Sequence, residues 1–113
     1  MIKERAIIAY KKYFSDFIKS IDTDAVKKIF YVLDMLKTHQ FVSAKFIKKI
    51  KDEVYEIRAE YNGNIYRVFF IFDDGNIVVL FNGFQKKTQK TPQKEIKKAL
   101  MIKNEYYAAK RNR

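Results

Sequence analysis

The chain has 113 residues, of which 48% are hydrophobic and 16% aromatic, with only three glycines and one proline. This composition excludes a disordered chain and predicts a single folded domain over residues 1–113. Lysine and arginine number 24 against 13 acidic residues, and the resulting net charge of +11 favours a polyanionic partner such as nucleic acid. Charge alone is equally consistent with a basic surface that serves solubility.

Cysteine is absent from the sequence, which excludes a thiol nucleophile, a disulfide and a zinc site built on thiolates. No long apolar run follows residues 1–5, so the sequence predicts neither a signal peptide nor a membrane span. We therefore expect a cytoplasmic protein without a membrane partner.

The N-terminal part of the chain predicts one strand and two helices. Residues 7–10 form a short apolar run that we assign to a strand. Apolar residues then recur at helical spacing over residues 14–21 and 26–36, with Asp22 or Thr23 as a cap between the two helices. Residues 38–52 lose this period and are rich in lysine, which predicts a basic loop or an irregular helical turn.

Three strands are predicted next. Residues 55–61 alternate between apolar and charged side chains, and Asn62-Gly63 supplies the positive-φ positions of a tight hairpin turn. The second strand runs to about Phe72, residues 73–76 make the next turn, and residues 77–84 form a third run rich in β-branched and aromatic residues.

A final helix follows Thr91-Pro92, where threonine is the predicted N-cap and proline occupies the first helical position. Its basic end is predicted to be disordered from about Lys110. The predicted fold class is α+β: a small antiparallel sheet, made of the N-terminal strand and a three-stranded meander, packed on an N-terminal helical hairpin, with a C-terminal helix.

The first hairpin turn fixes which side chains share a face of the sheet. Counting back from it places Arg58 directly opposite Arg67. Like charges in that position repel, so a bound anion between them would remove the conflict. In the alternative interpretation, Glu56 and Glu60 neutralise the arginines in an ordinary surface ion-pair lattice.

The second turn extends this face onto the third strand. Pairing Phe72 with Ile77 places Asn82 opposite Arg67. The face of the sheet that carries Arg58 and Arg67 is called the arginine face. The same count predicts that it includes these further residues of the third strand: Val78, Leu80, Phe84 and Lys86. The opposite face collects uncharged side chains, so we expect helices to cover it.

Several segments resemble one known family. Residues 54–58 (VYEIR), 65–68 (IYRV) and 83–92 (GFQKKTQKTP), with Glu95-Ile96, are similar to the phage-type HigB branch of the RelE/ParE toxin superfamily. The resemblance covers nearly the whole chain, and residues 83–96 are its most specific part. It implies a type II toxin that cleaves messenger RNA, usually on the ribosome, without metal or cofactor. It also implies a hetero-oligomer with a helix-turn-helix, HigA-like antitoxin.

The resemblance also implies roles for individual residues. By motif position, Arg58 and Arg67 match basic sheet residues around the scissile phosphate, and Lys86 or Lys87 matches a further basic residue. Phe84 matches another motif position. Glu56 stands where the RelE branch has lysine, and no terminal catalytic tyrosine can be aligned, so the family pattern leaves the base unassigned.

RNA carries its own nucleophile, so cleavage requires an aligned 2′-hydroxyl, a proton acceptor, cations for the transition state and help for the leaving oxygen. We expect Arg58 and Arg67 to clamp the phosphate and Lys86 to stabilise charge or protonate the leaving group. Phe84 would stack a base, or merely cap the core, and Glu56 is the candidate base.

Other residues complete the predicted site or fall outside it. An RNA backbone would be tracked by further side chains, namely Lys45, Lys48, Lys49, Asn82, Lys87 and Lys90. His39, Tyr106 and Tyr107 are interpreted as structural residues. Two other functions fit the same basic face: a ParE-like inhibitor of DNA gyrase, and a non-catalytic domain that binds RNA or protein.

Overall fold

The computed structural model describes residues 4–86 and 91–112. Within these ranges the elements are, in chain order, β1 (Ala6–Ala9), α1 (Tyr13–Lys19), α2 (Thr23–Thr38), β2 (Ile47–Lys51), β3 (Val54–Tyr61), β4 (Asn64–Asp73), β5 (Ile77–Lys86) and α3 (Gln93–Arg111). The α+β class, the N-terminal helical pair and the C-terminal helix are confirmed.

The sheet has five strands in the order β1-β5-β4-β3-β2. Strands β2 to β5 form an antiparallel meander, whereas β1 pairs with β5 in parallel. A parallel pair is possible because β1 and β5 are joined through most of the chain and not through a tight turn. The sheet is therefore mixed, and it has one strand more than the sequence predicts.

The additional strand is β2, which lies in the segment predicted to be a basic loop. Ile47 and Ile50 are three positions apart, so Ile47 packs on one face of the sheet and Ile50 on the other, and a register shift lies between Lys49 and Lys51. Two isoleucines three positions apart among lysines do not show the period-2 pattern by which a half-buried strand is recognised. Exposed lysines are typical of an edge strand, where they oppose pairing with another chain.

The first hairpin has the predicted register. Asn62 and Gly63 have φ of 51° and 79°, and Arg58 lies opposite Arg67. The second turn is shorter than predicted, because the last pair before it is Asp73 with Ile77 in place of Phe72 with Ile77.

Strand β5 is consequently out of the predicted register along its whole length. A second shift lies between the Val68 and Phe70 positions of β4, and beyond it Phe84 pairs with Arg67 and Lys86 with Ile65. Asn82 therefore does not lie opposite Arg67. The first shift also moves Val78 and Leu80 to the opposite face from the one predicted, and the second returns Phe84 and Lys86 to the arginine face.

Helices cover the two faces unequally. Helices α1 and α2 pack on one face, over a core that includes Ile57, Val68 and Leu80. Gly83 lies beneath α1, where a side chain would overlap the ring of Phe17. Helix α3 packs on the other face through Ile96, Ala99 and Ile102, which contact this apolar part of the sheet: Val54, Phe69, Ile71, Val79 and Phe81.

Side chains satisfy the ends of α2. Asp22 is the N-cap, and its carboxylate accepts a hydrogen bond from the backbone N–H of Asp24 at 2.7 Å. At the other end the guanidinium of Arg5 donates to the carbonyls of Leu36 and His39 at 2.6 and 2.7 Å. His39 is the C-cap residue of the helix, in keeping with its interpretation as structural.

Helix α3 differs from its prediction at both ends. Pro92 is the N-cap and not the first helical residue, and Thr91 lies just before it. At the C-terminus the helix continues to Arg111, so the predicted disorder from Lys110 is wrong: the ammonium of Lys110 lies 2.8 Å from a carboxylate oxygen of Asp73. Within the described ranges no helix is both long and apolar enough to cross a membrane.

Candidate active site

A polar cluster lies on the α3 side of the sheet, beyond the apolar part that α3 contacts. Strands β3, β4 and β5 each contribute one buried charged residue, Glu56, Arg67 and Lys86, with 0%, 2% and 3% of their surface exposed. Arg58 shares this face and is half-buried. Burying charges costs free energy unless they are paired, so their concentration at one place makes this cluster the candidate functional site.

The carboxylate of Glu56 holds Arg67 in place. The Arg67 guanidinium donates from Nη1 to Oε1 of Glu56, its diagonal neighbour across the strand pair. The hydroxyl of Thr91 donates to Oε2 of the same carboxylate at 3.3 Å. Both oxygens of Glu56 are thus engaged. This is the arrangement expected of a residue that orients an arginine, and it corresponds to only part of the ion-pair alternative considered from the sequence, because the Glu56–Arg67 pair is buried and not a surface lattice.

Lys86 lies in surroundings that disfavour its charge. Burial lowers the pKa of its ammonium, as do the nearby positive charges of Arg67, Arg58 and Lys48, and Glu56 only partly opposes these effects. A lysine in such a place releases its proton more readily than an ordinary surface lysine. It is therefore a stronger acid than lysine normally is.

The two opposed arginines are not equivalent. Both lie on one face, as the hairpin register predicts, but Arg67 is almost fully covered whereas Arg58 reaches the surface. Arg58 lines a depression of about 170 Å³ together with Lys45, Phe46 and Ile65. The expected open surface carrying both guanidinium groups is thus present only for Arg58.

Phe84 completes the cluster on β5. It lies opposite Arg67, is half-buried, and its ring stacks on that of Phe69, with centroids 5.7 Å apart and planes 26° apart. Because the ring of Phe84 contacts the core and is also partly exposed, its position is compatible both with stacking on a base and with capping the core.

The predicted backbone-tracking residues separate into two groups. Lys48 pairs with Glu56 in the sheet register and therefore faces the cluster, and the ammonium of Lys45 lies 5.6 Å from the ring centroid of Phe46 beside Arg58. Lys49 faces the opposite side and lies 2.9 Å from a carboxylate oxygen of Glu53. Lys87 and Lys90 lie outside the described residues.

Asn82 does not join the cluster. It is buried in β5 at the register shift, and it lines a separate depression together with Tyr13, Phe17 and Lys98. Thr91, which the sequence predicts only as a helix cap, is instead a partner of Glu56. Nothing in the sequence pattern indicates that contact, because it joins residues 35 positions apart.

The tyrosines of α3 have structural contacts. The hydroxyl of Tyr106 donates to Asp73 at 2.5 Å, and burial, with the help of that bond, raises the pKa of Tyr106 to about 12. Its ring also packs edge-on against Tyr10. Among residues 4–86 and 91–112 there is no group of three or more His, Asp or Glu side chains that could hold a metal ion.

Comparison with known proteins identifies the fold and the family. A chain of the archaeal RelE–RelB complex from Pyrococcus horikoshii OT3 is similar in structure, with a TM-score of 0.55, 14% sequence identity, and 79% of this chain and 100% of that chain covered. The protein has a RelE-like fold. The family model described as Phage derived protein Gp49-like (DUF891) matches residues 16–104, and the chain belongs to that family. A comparison with curated protein sequences gave no match.

Proposed function

We propose that this protein is the toxin of a type II toxin–antitoxin system and cleaves messenger RNA. The RelE-like fold and membership of the Gp49-like family support the toxin class. The observation that carries the chemistry is the convergence of Arg58, Arg67 and Lys86 on the part of the sheet beyond the α3 contact, with a lowered lysine pKa. The HigB-like character rests on the sequence motifs around these residues.

The cluster can supply phosphate binding, charge stabilisation and a leaving-group proton for RNA cleavage by an internal 2′-hydroxyl, and the proton of that hydroxyl would pass to solvent water. Arg58, at the surface, would bind the scissile phosphate, and Arg67 would stabilise the charge that develops on it. Lys86, with its lowered pKa, would protonate the leaving 5′-oxygen. We assign Glu56 to positioning Arg67, because both of its oxygens already accept hydrogen bonds.

The burial of Arg67 and Lys86 adds a condition to this mechanism. With 2% and 3% of their surface exposed, neither can contact RNA until the side chains above them move. Arg58 needs no such movement. Initial binding would therefore occur at Arg58 and the neighbouring lysines, and bound RNA would then gain access to the two buried cations.

The proposed partners are messenger RNA on the ribosome and a helix-turn-helix antitoxin of the HigA type. A RelE-like fold solved as a RelE–RelB complex supports a protein partner for this chain as well. A cytoplasmic location follows from these partners.

Primer extension on messenger RNA, with and without ribosomes, tests the proposal. We expect cuts that depend on translation, and we expect Arg58→Gln to remove them while the folded state is retained, since Arg58 is half-buried and not part of the Glu56–Arg67 pair. Lys49→Gln, on the opposite face, is the matched control. Intact RNA together with inhibited DNA supercoiling would favour the gyrase alternative instead.

A further inference from the structure

The depression beside Arg58 does not end at the candidate active site. It shares Lys45, Phe46, Ala59 and Glu60 with a second depression, of about 290 Å³, that extends to α2. There the lining adds Val32 and two outward residues of α2, which are Lys28 and Tyr31. The two depressions thus form one groove over the β2–β3 edge of the sheet, with Arg58 at its inner end.

Tyr31 marks the outer end of this groove. Its side chain lines the second depression and also a third one, shared with Lys27 and Tyr61, so the tyrosine stands between the two. The residue is 59% exposed, although α2 buries its neighbours Val32 and Leu33 in the core. A large aromatic side chain that the core does not use can present its ring to a planar ligand.

The charge along the groove is mostly positive. Lys28, Lys45 and Arg58 line it against the carboxylate of Glu60. Beyond Tyr31, the carboxylate of Asp24 accepts a hydrogen bond from the Tyr61 hydroxyl at 3.0 Å and lies 3.7 Å from the ammonium of Lys27. Cations spaced along a channel, with an exposed aromatic ring at one end, are the features with which proteins bind single-stranded nucleic acid.

We propose that this groove binds the single-stranded RNA that continues on one side of the scissile phosphate. Lys45 and Lys28 contact successive phosphates beyond Arg58, and Tyr31 stacks on a base. The inference rests on the proposed function and extends it: the enzyme reads more RNA than the cleavage centre covers, and the extra contacts lie on α2 and the β2–β3 edge.

Binding of RNA of different lengths tests the groove. The probes are a short 2′-O-methyl RNA, which lacks the nucleophile and cannot be cut, and the same RNA lengthened by about four nucleotides on its 5′ or its 3′ side. We expect one of the two extensions to tighten binding about 10-fold, a gain of the size that one stacked base provides. Tyr31→Ala and Lys28→Gln should lose that gain and bind the short RNA as the unsubstituted protein does. Lys37→Gln, an exposed lysine of the same helix, is the control.

Three results would overturn the proposal. The first is an equal affinity for short and long RNA, and the second is a length-dependent gain that persists in Tyr31→Ala. The third is a Tyr31→Ala protein that loses affinity for the purified antitoxin but keeps its gain with long RNA, which would make the groove a protein-docking site. A protein that cuts no messenger RNA but retains the Tyr31-dependent gain would refute the proposed cleavage activity and leave the groove standing.

Discussion

Lys86 is the residue whose chemistry is easiest to isolate. Because burial and neighbouring cations lower its pKa, a leaving-group acid at this position should lose its proton at a lower pH than an ordinary lysine does. We predict that the single-turnover cleavage rate falls as pH rises through this lowered pKa. Lys86→Arg keeps the positive charge but does not release a proton in that range, so the rate should drop about 100-fold and the alkaline decline should disappear.

A second substitution separates charge from structure at the same position. Lys86→Met keeps the length of the side chain and removes a charge that its surroundings disfavour. We expect it to abolish cleavage while the protein stays folded, as measured by circular dichroism. Cleavage by Lys86→Met within a few-fold of the unsubstituted rate would show that Lys86 takes no part in the chemistry.

Glu56 should behave in the opposite way, because its loss leaves the buried Arg67 guanidinium facing a neutral amide in place of a carboxylate. We predict that Glu56→Gln lowers the free energy of unfolding by about 3 kcal/mol, the usual cost of breaking a buried ion pair. Urea denaturation measures the change. Glu60→Gln, on the same face of β3 but exposed, should change it by less than about 0.5 kcal/mol. Equal effects of the two substitutions would refute a structural role for the Glu56–Arg67 pair.

At the scale of elements, α3 is attached to the sheet by polar contacts as well as by its apolar face. Asp73, at the end of β4, accepts hydrogen bonds from Tyr106 at 2.5 Å and from Lys110 at 2.8 Å. Burial by itself would raise the pKa of Asp73, but the bonds from Lys110 and Tyr106 outweigh burial and hold this pKa below its ordinary value. The attachment is therefore strongest when Asp73 is ionised.

Asp73→Asn tests this attachment. A carboxyl group with a lowered pKa in the folded state contributes stability that is complete above its unfolded pKa and is lost as pH falls through the folded value. We predict a loss of about 2 kcal/mol at pH 7, faster hydrogen exchange over residues 104–111, and a weaker dependence of stability on acid than in the unsubstituted protein. Asp74→Asn is the control, because its carboxylate is 70% exposed and lies 3.5 Å from Lys110.

The two hairpins show how far sequence reasoning reaches at this scale. Asn62-Gly63 allows essentially one tight turn, so the pairing of Arg58 with Arg67 could be predicted from the turn alone. The second turn has several glycine- and aspartate-containing solutions of different length, and the one adopted places Asp74 and Gly75 at positive φ. A difference of one residue there inverts the faces of β5 up to its second register shift.

The positions of the candidate site residues could be predicted only as well as the register of the strands that carry them. Residues on β3 and β4 fell on the correct face, and Lys86 did so because the second register shift cancels the parity of the first. The burial of Arg67 could not be predicted, because it depends on tertiary contacts such as that of Thr91 with Glu56. Contacts between residues far apart in the sequence leave no local pattern, whereas a tight turn predicts how its flanking strands pair.

For the whole molecule, a net charge of +11 says little until the charges are placed in the fold. Lys48 and Lys49 are adjacent in β2 and both exposed, yet they face opposite sides of the sheet. Lys48 lies on the side of Glu56 and the polar cluster, and Lys49 pairs with Glu53 on the other side. The two residues therefore contribute equally to net charge but unequally to any field at the site.

This difference predicts how salt affects RNA binding. Each phosphate that a lysine neutralises releases counterions, so the logarithm of the affinity for single-stranded RNA should fall with the logarithm of salt concentration by about 0.7 per contact. We expect Lys48→Gln to reduce that slope by about 0.7 and Lys49→Gln to leave it unchanged, measured by fluorescence anisotropy with uncleavable RNA. If one defined face of the protein binds RNA, two neighbouring lysines that point in opposite directions must affect the salt dependence differently. Equal slopes for the two variants would therefore contradict such a face and show that RNA responds to the protein's total charge.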